Sequence, residues 1–150
     1  MASISVVGEG DLDELLPLMR AYCDFYEVAP SDSDLLALSR ALIGDPEREG
    51  TQLIARDESG SAIGFATVFW TWSTLSARRI GVMNDLFVLP EARGAGAADE
   101  LIAECARLVR ERGAKRLEWV TAQDNLRAQA VYDRVGGRGD DRWRNYSLDL

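Results

Sequence analysis

One segment, Leu86–Leu101 (LFVLPEARGAGAADEL), constrains this chain more than any other: an apolar strand pattern, a short loop of small residues and a helical pattern follow one another. The loop carries Arg93, Gly94 and Gly96, and small residues continue through Ala98. A loop that enters a helix points several unpaired backbone N–H groups at one spot, and the helix dipole adds partial positive charge there. Because small residues let an anion approach the backbone, the segment predicts a diphosphate-binding loop.

Two familiar phosphate-binding patterns do not fit this loop. The dinucleotide fingerprint needs its own glycine spacing and an acidic residue on a following strand, and a Walker loop needs a lysine, which is missing here. The alternative to an anion site is purely structural: a tight turn whose small residues let a helix pack closely against a strand. The loop alone leaves both interpretations open.

A second motif lies downstream of the loop. It runs over Asn125–Tyr132 (NLRAQAVY) and is followed by Gly136. Taken in order, the loop motif Arg93-x-x-Gly96-x-Ala98 and this second motif resemble the two signatures of the GNAT family of acetyl-CoA-dependent N-acetyltransferases. The resemblance covers most of the chain, from about residue 4 to the C-terminus.

The resemblance implies a mixed α/β fold, with a mostly antiparallel sheet that is flanked by helices on both faces and splayed where two central strands part to admit the cofactor. It implies acetyl-CoA as cosubstrate, with strand backbone groups pairing with the pantetheine arm and the loop surrounding the diphosphate. Arg93 either adds charge to this site or only fixes the loop. The implied cofactor-binding residues are Leu86, Phe87, Val88, Arg93, Gly94, Ala95, Gly96, Ala97, Ala98, Asp99 and Asn125.

Hydrophobic periodicity and turn signals give the order of the elements. A short strand at Ile4–Val7 precedes a helix that is capped by Asp11 and ends near Tyr26. The remaining expected elements are a helix over Asp32–Ile43, a β-hairpin over Thr51–Trp72, a strand at Ile80–Val88, a helix over Gly96–Arg112 ended by Gly113, a strand at Arg116–Thr121, a helix at Leu126–Val135 and a last strand at Trp143–Leu150.

A single N-acetyltransferase domain over residues 1–150 is the simplest organisation for a chain of 150 residues. No apolar run approaches the length of a membrane span, and the N-terminus lacks the basic and apolar regions of a secretory signal. Cys23 and Cys105 do not make a disulfide framework, and Cys105 falls on an apolar helix face. These features predict a cytoplasmic protein.

The charge balance narrows the range of partners. The chain carries a net charge of −8 and contains no histidine. An acidic surface argues against nucleic acid, whose phosphates need basic side chains. Without histidine, histidine general-base chemistry is excluded and no metal site is predicted. The acidity favours a cationic small substrate through long-range attraction, with solubility alone as the competing explanation.

The resemblance assigns a role in the chemistry to Tyr132. This tyrosine lies two helical turns from Asn125, on the same helix face. The resemblance makes its hydroxyl the group that assists the departing thiolate, mainly by hydrogen bonding, because a phenol is a weak acid toward a thiolate. A buried core aromatic is the alternative.

The base that removes the amine proton is harder to place. Several family members carry a Glu on the strand before the loop or on the next strand, but here Val82, Asn84 and Val120 stand at those positions. The candidates that remain are Asp85 and Glu118. For either of them a surface or packing carboxylate is the alternative, and deprotonation through ordered water is possible as well.

The acceptor is expected near the first helix, where aromatic rings and carboxylates alternate, and near two tryptophans on one strand face. Such groups suit an alkylammonium ion, so we expect a small cationic amine such as a polyamine, an amino sugar or a lysine-like compound. A protein N-terminus or lysine, or a catalytically silent acyl-CoA sensor, are the alternatives. The expected last strand would border an exposed edge, which favours a homodimer. The acceptor candidates are Tyr22, Asp24, Tyr26, Glu27, Trp70 and Trp72.

Overall fold

The computed structural model describes residues 1–150 and divides into two compact units, Met1–Val120 and Thr121–Leu150. The second unit contains one helix, α4 (Leu126–Arg134). The first unit contains β1 (Ser3–Val6), α1 (Leu12–Phe25), α2 (Asp32–Gly44), β2 (Gly50–Arg56), β3 (Ala62–Ser73), β4 (Arg78–Val88), α3 (Ala97–Glu111) and β5 (Leu117–Glu118).

The five strands form one sheet in the order β1-β2-β3-β4-β5. The first three pairings are antiparallel and β4 pairs with β5 in parallel. One face of the sheet packs against α1, where Leu15, Leu18 and Met19 meet Phe65 and Phe87. The other face packs against α3, whose Val109 side chain lies beside Gly81 of β4. The expected mixed, mostly antiparallel sheet with helices on both faces is therefore confirmed.

The expected splay lies between β4 and β5. These strands pair only where Gly81 and Val82 face Leu117 and Glu118. Beyond Val82, β4 continues to Val88 along β3 alone. One edge of the second half of β4 is therefore unpaired by any strand.

A β-bulge on β4 decides which side chains reach which face. Thr67 pairs with Asp85 and the next residue, Val68, pairs with Met83, so Asn84 is the extra residue. A bulge shifts the alternation of side chains along its strand. Without it, Asp85 would point to the same face as Met83, toward α3. With it, Asp85 turns to the face that α1 covers.

The helix that follows the loop behaves as its sequence pattern predicts. Leu101, Ile102, Cys105 and Val109 are buried along one face of α3, and Gly113 ends the helix with φ +76°. Cys105 is a free thiol with no exposed surface. Burial raises the pKa of this thiol to about 12, so it stays protonated and inert.

Asp11 does not cap α1 with its side chain, contrary to expectation. A 3-10 turn over Glu9–Asp11 leads directly into the helix, and Asp11 has helical backbone angles (φ −94°, ψ −8°). A capping side chain needs an extended backbone at that position. The carboxylate instead accepts a hydrogen bond from the Gly8 N–H at 2.8 Å and pairs with Arg56 at 2.7 Å.

Two expected strands also differ. β5 is confined to Leu117–Glu118, and its pairing with β4 ends at Val82, two residues before the bulge at Asn84. No strand forms over residues 143–150. Apolar alternation predicts a strand only where a partner strand pairs with it, and the second unit has none. Trp143, Tyr146 and Leu148 are exposed there.

Candidate active site

The loop between β4 and α3 owes its shape to two glycines. Gly94 has φ +87° and Gly96 has φ +91°, both in the left-handed region that strains other residues. A Cβ atom built on either glycine would meet no atom within 4 Å. Close packing of helix against strand is therefore not what these glycines provide. They provide the backbone turn.

The turn leaves a set of backbone donors without protein acceptors. The first helical hydrogen bond of α3 joins the Glu100 N–H to the Gly96 carbonyl oxygen at 3.0 Å. The N–H groups of the five preceding small residues make no hydrogen bond within the protein: Gly94, Ala95, Gly96, Ala97 and Ala98. Donors at the positive end of a helix dipole form a site for an anion.

Arg93 fixes this loop to the end of β4. Its Nε donates a hydrogen bond to the Val88 carbonyl oxygen at 2.9 Å, and its guanidinium lies 5.9 Å from the centre of the Phe87 ring. Of the two roles that the sequence leaves open for Arg93, the geometry favours fixing the loop over supplying charge.

The unpaired edge of β4 presents specific backbone groups. The Leu89 N–H donates a hydrogen bond to the Ile63 carbonyl oxygen at 2.8 Å, one position along the ladder from the Gly64–Val88 pair. In an antiparallel ladder, residues alternate between pointing toward and away from one neighbour. The backbone of Phe87 therefore points toward β3, and those of Leu86 and Val88 point to the open side. Only these two can pair with an extended ligand in place of a strand.

Asp85 lies half-buried under α1, without a cationic partner. The Asn84 side-chain amide donates a hydrogen bond to its carboxylate at 3.0 Å, and Thr67 faces it across the β3–β4 pair. Burial raises the pKa of Asp85 above its usual value, although the polar side chains of Thr67, Tyr22 and Asn84 act to lower it. A carboxylate with a raised pKa in a polar cluster has the properties of a general base.

The cluster extends into the core through Gln52. The Gln52 Nε2 donates to the Thr67 hydroxyl oxygen at 3.1 Å and lies 3.6 Å from the Met19 sulfur. The Gln52 Oε1 is buried without a hydrogen-bond partner. Sequence reasoning missed Gln52 and Thr67, although each is a polar residue within an apolar strand, which is the signal that could have revealed them.

Aromatic rings pack around Tyr22 on the α1 side of the sheet. Tyr22 makes edge-to-face contacts with Tyr26, Phe65 and Phe87, with ring centres 5.1, 5.7 and 6.0 Å apart. Burial and then the nearby Asp85 carboxylate raise the pKa of Tyr22, so its phenol stays protonated and remains a donor. Tyr26 is exposed at the end of α1, and the predicted acceptor residues Asp24 and Glu27 are exposed beside it.

The two tryptophans do not join this cluster. Trp70 is buried on the α3 side, where its Nε1 donates to the Pro46 carbonyl oxygen at 2.9 Å and the Arg112 guanidinium lies 4.4 Å from its ring centre. Trp72 is exposed near the hairpin tip, with Arg79 5.3 Å from its ring centre. Trp70 lies on the sheet face opposite to α1, so the structure does not bring the tryptophans together with the acceptor candidates of the first helix.

Glu118, the second candidate base, lies at the surface of β5. It forms an ion pair with Arg116 at 2.8 Å. Asp85, by contrast, is half-buried on β4 and next to the open edge of that strand. The geometry therefore distinguishes the two candidates in favour of Asp85.

In the second unit, Asn125 caps α4 as expected. Its Oδ1 accepts a hydrogen bond from the Ala128 N–H at 3.1 Å. Tyr132 is half-buried on α4, and the helix ends at Gly136 with φ +87°. Contacts of Asn125 and Tyr132 with a cofactor stay predictions.

Three further observations concern a small cavity, metal-binding groups and membrane-spanning helices. A cavity of about 80 Å³ beside α2, lined by Val7, Ser39 and Gln52 among others, is far smaller than a typical ligand pocket. No group of three or more His, Cys, Asp or Glu side chains comes together as a metal site. None of the helices has both the length and the apolar character that a membrane crossing requires.

Comparison with known proteins identifies the class. The model of the acetyltransferase (GNAT) family matches residues 15–137. An uncharacterized N-acetyltransferase of Bacillus subtilis strain 168, YhfO, is 32% identical over 93% of this chain and 92% of its own. A thialysine N-epsilon-acetyltransferase of Sus scrofa is 26% identical over 92% of this chain and 86% of its own. The crystal structure of a probable acetyltransferase superposes with a TM-score of 0.85 at 30% identity, covering 99% of this chain and 97% of that one.

The fold, the glycine loop and these matches define an acyltransferase. The chain belongs to the GNAT family of acetyltransferases. Its activity is acetyl-CoA-dependent N-acetyl transfer, which confirms the resemblance seen in the two sequence motifs.

Proposed function

We propose that this enzyme acetylates a primary amine of a small cationic compound and that Asp85 is its general base. The observation that carries the proposal is the placement of Asp85: a half-buried carboxylate with a raised pKa, bordered by Tyr22 and located where β4 leaves β5. The base and the open strand edge lie next to each other in the chain. A thioester held along that edge would be within reach of an amine beside Asp85.

In the proposed complex, the loop Gly94–Ala98 binds the diphosphate of acetyl-CoA and the pantetheine arm pairs with backbone groups of Leu86 and Val88. The free N–H groups of the loop support this assignment. Phe87 supports the site by pairing with β3, and Arg93 supports it by binding the Val88 carbonyl oxygen. Asp99 lies in the first turn of α3, where its carboxylate would repel a phosphate, so we give it a backbone role only. Asn125 is expected to contact the cofactor in addition to capping α4.

The proposed reaction consists of deprotonation of the amine, attack on the thioester and departure of coenzyme A. The Asp85 carboxylate takes a proton from the ammonium form of the acceptor, which leaves a neutral amine. The amine nitrogen attacks the thioester carbonyl carbon, a C–N bond forms and the C–S bond breaks. Coenzyme A departs as a thiolate, which the Tyr132 hydroxyl stabilises by hydrogen bonding. The attacking nitrogen loses its second proton, which protonates the thiolate to the thiol, and Asp85 then releases the first proton to solvent. No metal takes part in any step of this proposal.

The acceptor class follows from the surroundings of Asp85. The exposed ring of Tyr26 and the carboxylates of Asp24 and Glu27 lie at the same end of α1 as Tyr22. Aromatic rings and carboxylates together attract alkylammonium ions. One relative is described as acting on thialysine, which supports a lysine-like, polyamine or amino-sugar acceptor over a protein substrate.

We further propose a single functional domain over residues 1–150, supported by a family match that spans both compact units. The two free, buried thiols support a cytoplasmic location. A homodimer is supported by the exposed Trp143, Tyr146 and Leu148, because exposed apolar clusters mark contact surfaces. Light scattering at micromolar concentration tests the last point, and a monomer mass would refute it.

The experiment that tests the function is thiol release from acetyl-CoA with a panel of amines. Diamines and lysine analogues should support turnover, and neutral or anionic amines of similar size should support little. A peptide with a free N-terminus and an internal lysine provides the comparison for a protein acceptor. Binding of acetyl-CoA without turnover on any amine would favour a sensor and refute the proposal.

A further inference from the structure

We propose that Gln52 and Thr67 are positioning residues that hold the Asp85 carboxylate ready to accept the amine proton. The inference rests on the proposed role of Asp85 as base. Gln52 lies on β2, Thr67 on β3 and Asp85 on β4, and they are cross-strand partners, so a line of three polar side chains crosses three strands on the face that α1 covers.

The direction of the hydrogen bonds determines how this line works. The Gln52 amide donates to the Thr67 hydroxyl oxygen at 3.1 Å. Because that oxygen accepts from Gln52, the hydroxyl hydrogen of Thr67 is left to turn toward the carboxylate of Asp85, its cross-strand partner on β4. A donor aimed at a carboxylate stabilises its ionised form. Gln52 thus acts on Asp85 only through Thr67.

A purely structural role for Gln52 agrees poorly with its surroundings. Its side chain is 3% exposed and its Oε1 has no hydrogen-bond partner. A buried acceptor without a partner destabilises a fold, and an apolar side chain of the same shape would avoid that cost. The benefit of the amide at this position is its N–H donor, which the positioning role uses.

The other groups near Asp85 do not titrate in the range of the assay. Tyr22 and Cys23 of α1 are the titratable groups that interact with it, and burial raises the pKa of each, so both stay neutral at moderate pH. Thr67 and Asn84, its partners from β3 and β4, carry no charge. A change in the low-pH fall of kcat/KM therefore reports on Asp85.

The test compares pH profiles of kcat/KM for Thr67→Val, Thr67→Ser and Gln52→Met. Thr67→Val removes the hydroxyl donor, so the midpoint of the low-pH fall should move up by about one pH unit. Below that midpoint kcat/KM should drop about tenfold, while the high-pH plateau stays close to wild type. Thr67→Ser keeps the hydroxyl and should retain the wild-type profile.

Gln52→Met should move the midpoint in the same direction by a smaller amount and should not lower the melting temperature, because it also removes the orphaned Oε1. The double variant Gln52→Met/Thr67→Val leaves no unpaired donor in the core and should match Thr67→Val alone. Ser39→Ala is the control, since Ser39 is buried and contacts Met19 but lies off the line to Asp85. Its profile should equal that of wild type.

The outcomes separate this inference from the proposed function. If Asp85→Asn abolishes the low-pH fall and Thr67→Val leaves its midpoint in place, Asp85 is the base and the positioning role is refuted. Additive shifts in the double variant would also refute it, because Gln52 would then act independently of Thr67. If Asp85→Asn retains the wild-type profile, the proposed base is wrong and this inference fails with it.

Discussion

Substituting Gly96 by Asp should weaken acetyl-CoA binding about 100-fold, and the structure provides a matched control at the other end of the same helix. Gly96 and Gly113 both have positive φ, +91° and +76°, and a Cβ at either position would meet nothing within 4 Å. An L-residue is therefore strained by about 1–2 kcal/mol at both sites without a steric clash. Gly96→Asp and Gly113→Asp share that strain and the added charge.

The two variants differ in what lies near the added carboxylate. A carboxylate at Gly96 would lie in the proposed diphosphate site, where an assumed separation of about 6 Å and an effective dielectric constant of about 20 give a repulsion of about 3 kcal/mol. That energy corresponds to roughly a 100-fold loss of affinity. A carboxylate at Gly113 lies beyond the opposite end of α3 and should leave affinity unchanged.

Calorimetric titration with acetyl-CoA measures both variants, and circular dichroism confirms that each is folded. Gly96→Ala carries the strain without the charge, so its loss should be smaller. Raising the ionic strength should reduce the deficit of Gly96→Asp because salt screens the repulsion. Unchanged affinity in a folded Gly96→Asp protein, or an equal loss in Gly113→Asp, would refute the assignment of the diphosphate site to this loop.

Three other predictions follow from the site. Tyr132→Phe should lower kcat with little change in acetyl-CoA affinity, because only the hydroxyl that assists the thiolate is lost; steady-state kinetics with calorimetry decide, and wild-type turnover would leave a packing role. The KM for a dicationic amine should rise with ionic strength, and neutralising Asp24 and Glu27 together should flatten that dependence; an amine KM that ignores salt would assign the acidic surface to solubility. Burial raises the folded pKa of Asp85 above 3.8, so the folded state holds that proton more tightly than the unfolded state does. Wild type should therefore lose stability relative to Asp85→Asn as pH rises from about 4 through the folded pKa. Urea denaturation across that range checks the prediction, and a constant difference in unfolding free energy between the two proteins would contradict it.

The sequence predicts most of the scaffold because local signals determine it. The glycine turn, the amphipathic α3 and the Asn125 cap each depend on a few neighbouring residues. Elements that depend on distant pairing were less predictable. The length of β5 and the absence of a strand at the C-terminus depend on which neighbour a segment meets, which apolar alternation does not specify.

In the candidate site, too, the part that local sequence determines is predictable and the part that depends on distant strands is not. The loop Arg93–Ala98 follows from a contiguous motif, and the structure adds that Arg93 binds the Val88 carbonyl oxygen. The surroundings of Asp85 do not follow from any motif. The bulge at Asn84 reverses the face on which Asp85 lies, and Gln52 and Thr67 come from strands that are distant in sequence. The alternation of apolar and polar residues, which has a period of two, does not indicate where a strand contains one extra residue.

The most direct test of the central claim, that Asp85 takes the proton from the acceptor amine, is the pH profile of kcat/KM for Asp85→Asn measured beside Glu118→Gln. Wild-type activity should rise with pH through the raised pKa of Asp85, because only the ionised carboxylate accepts a proton. Asp85→Asn should lose at least about 100-fold in kcat/KM together with that rise, while acetyl-CoA affinity stays at the wild-type value. Glu118→Gln removes an exposed carboxylate and should retain the full profile. A folded Asp85→Asn enzyme with wild-type kcat/KM and the same rise would contradict the account.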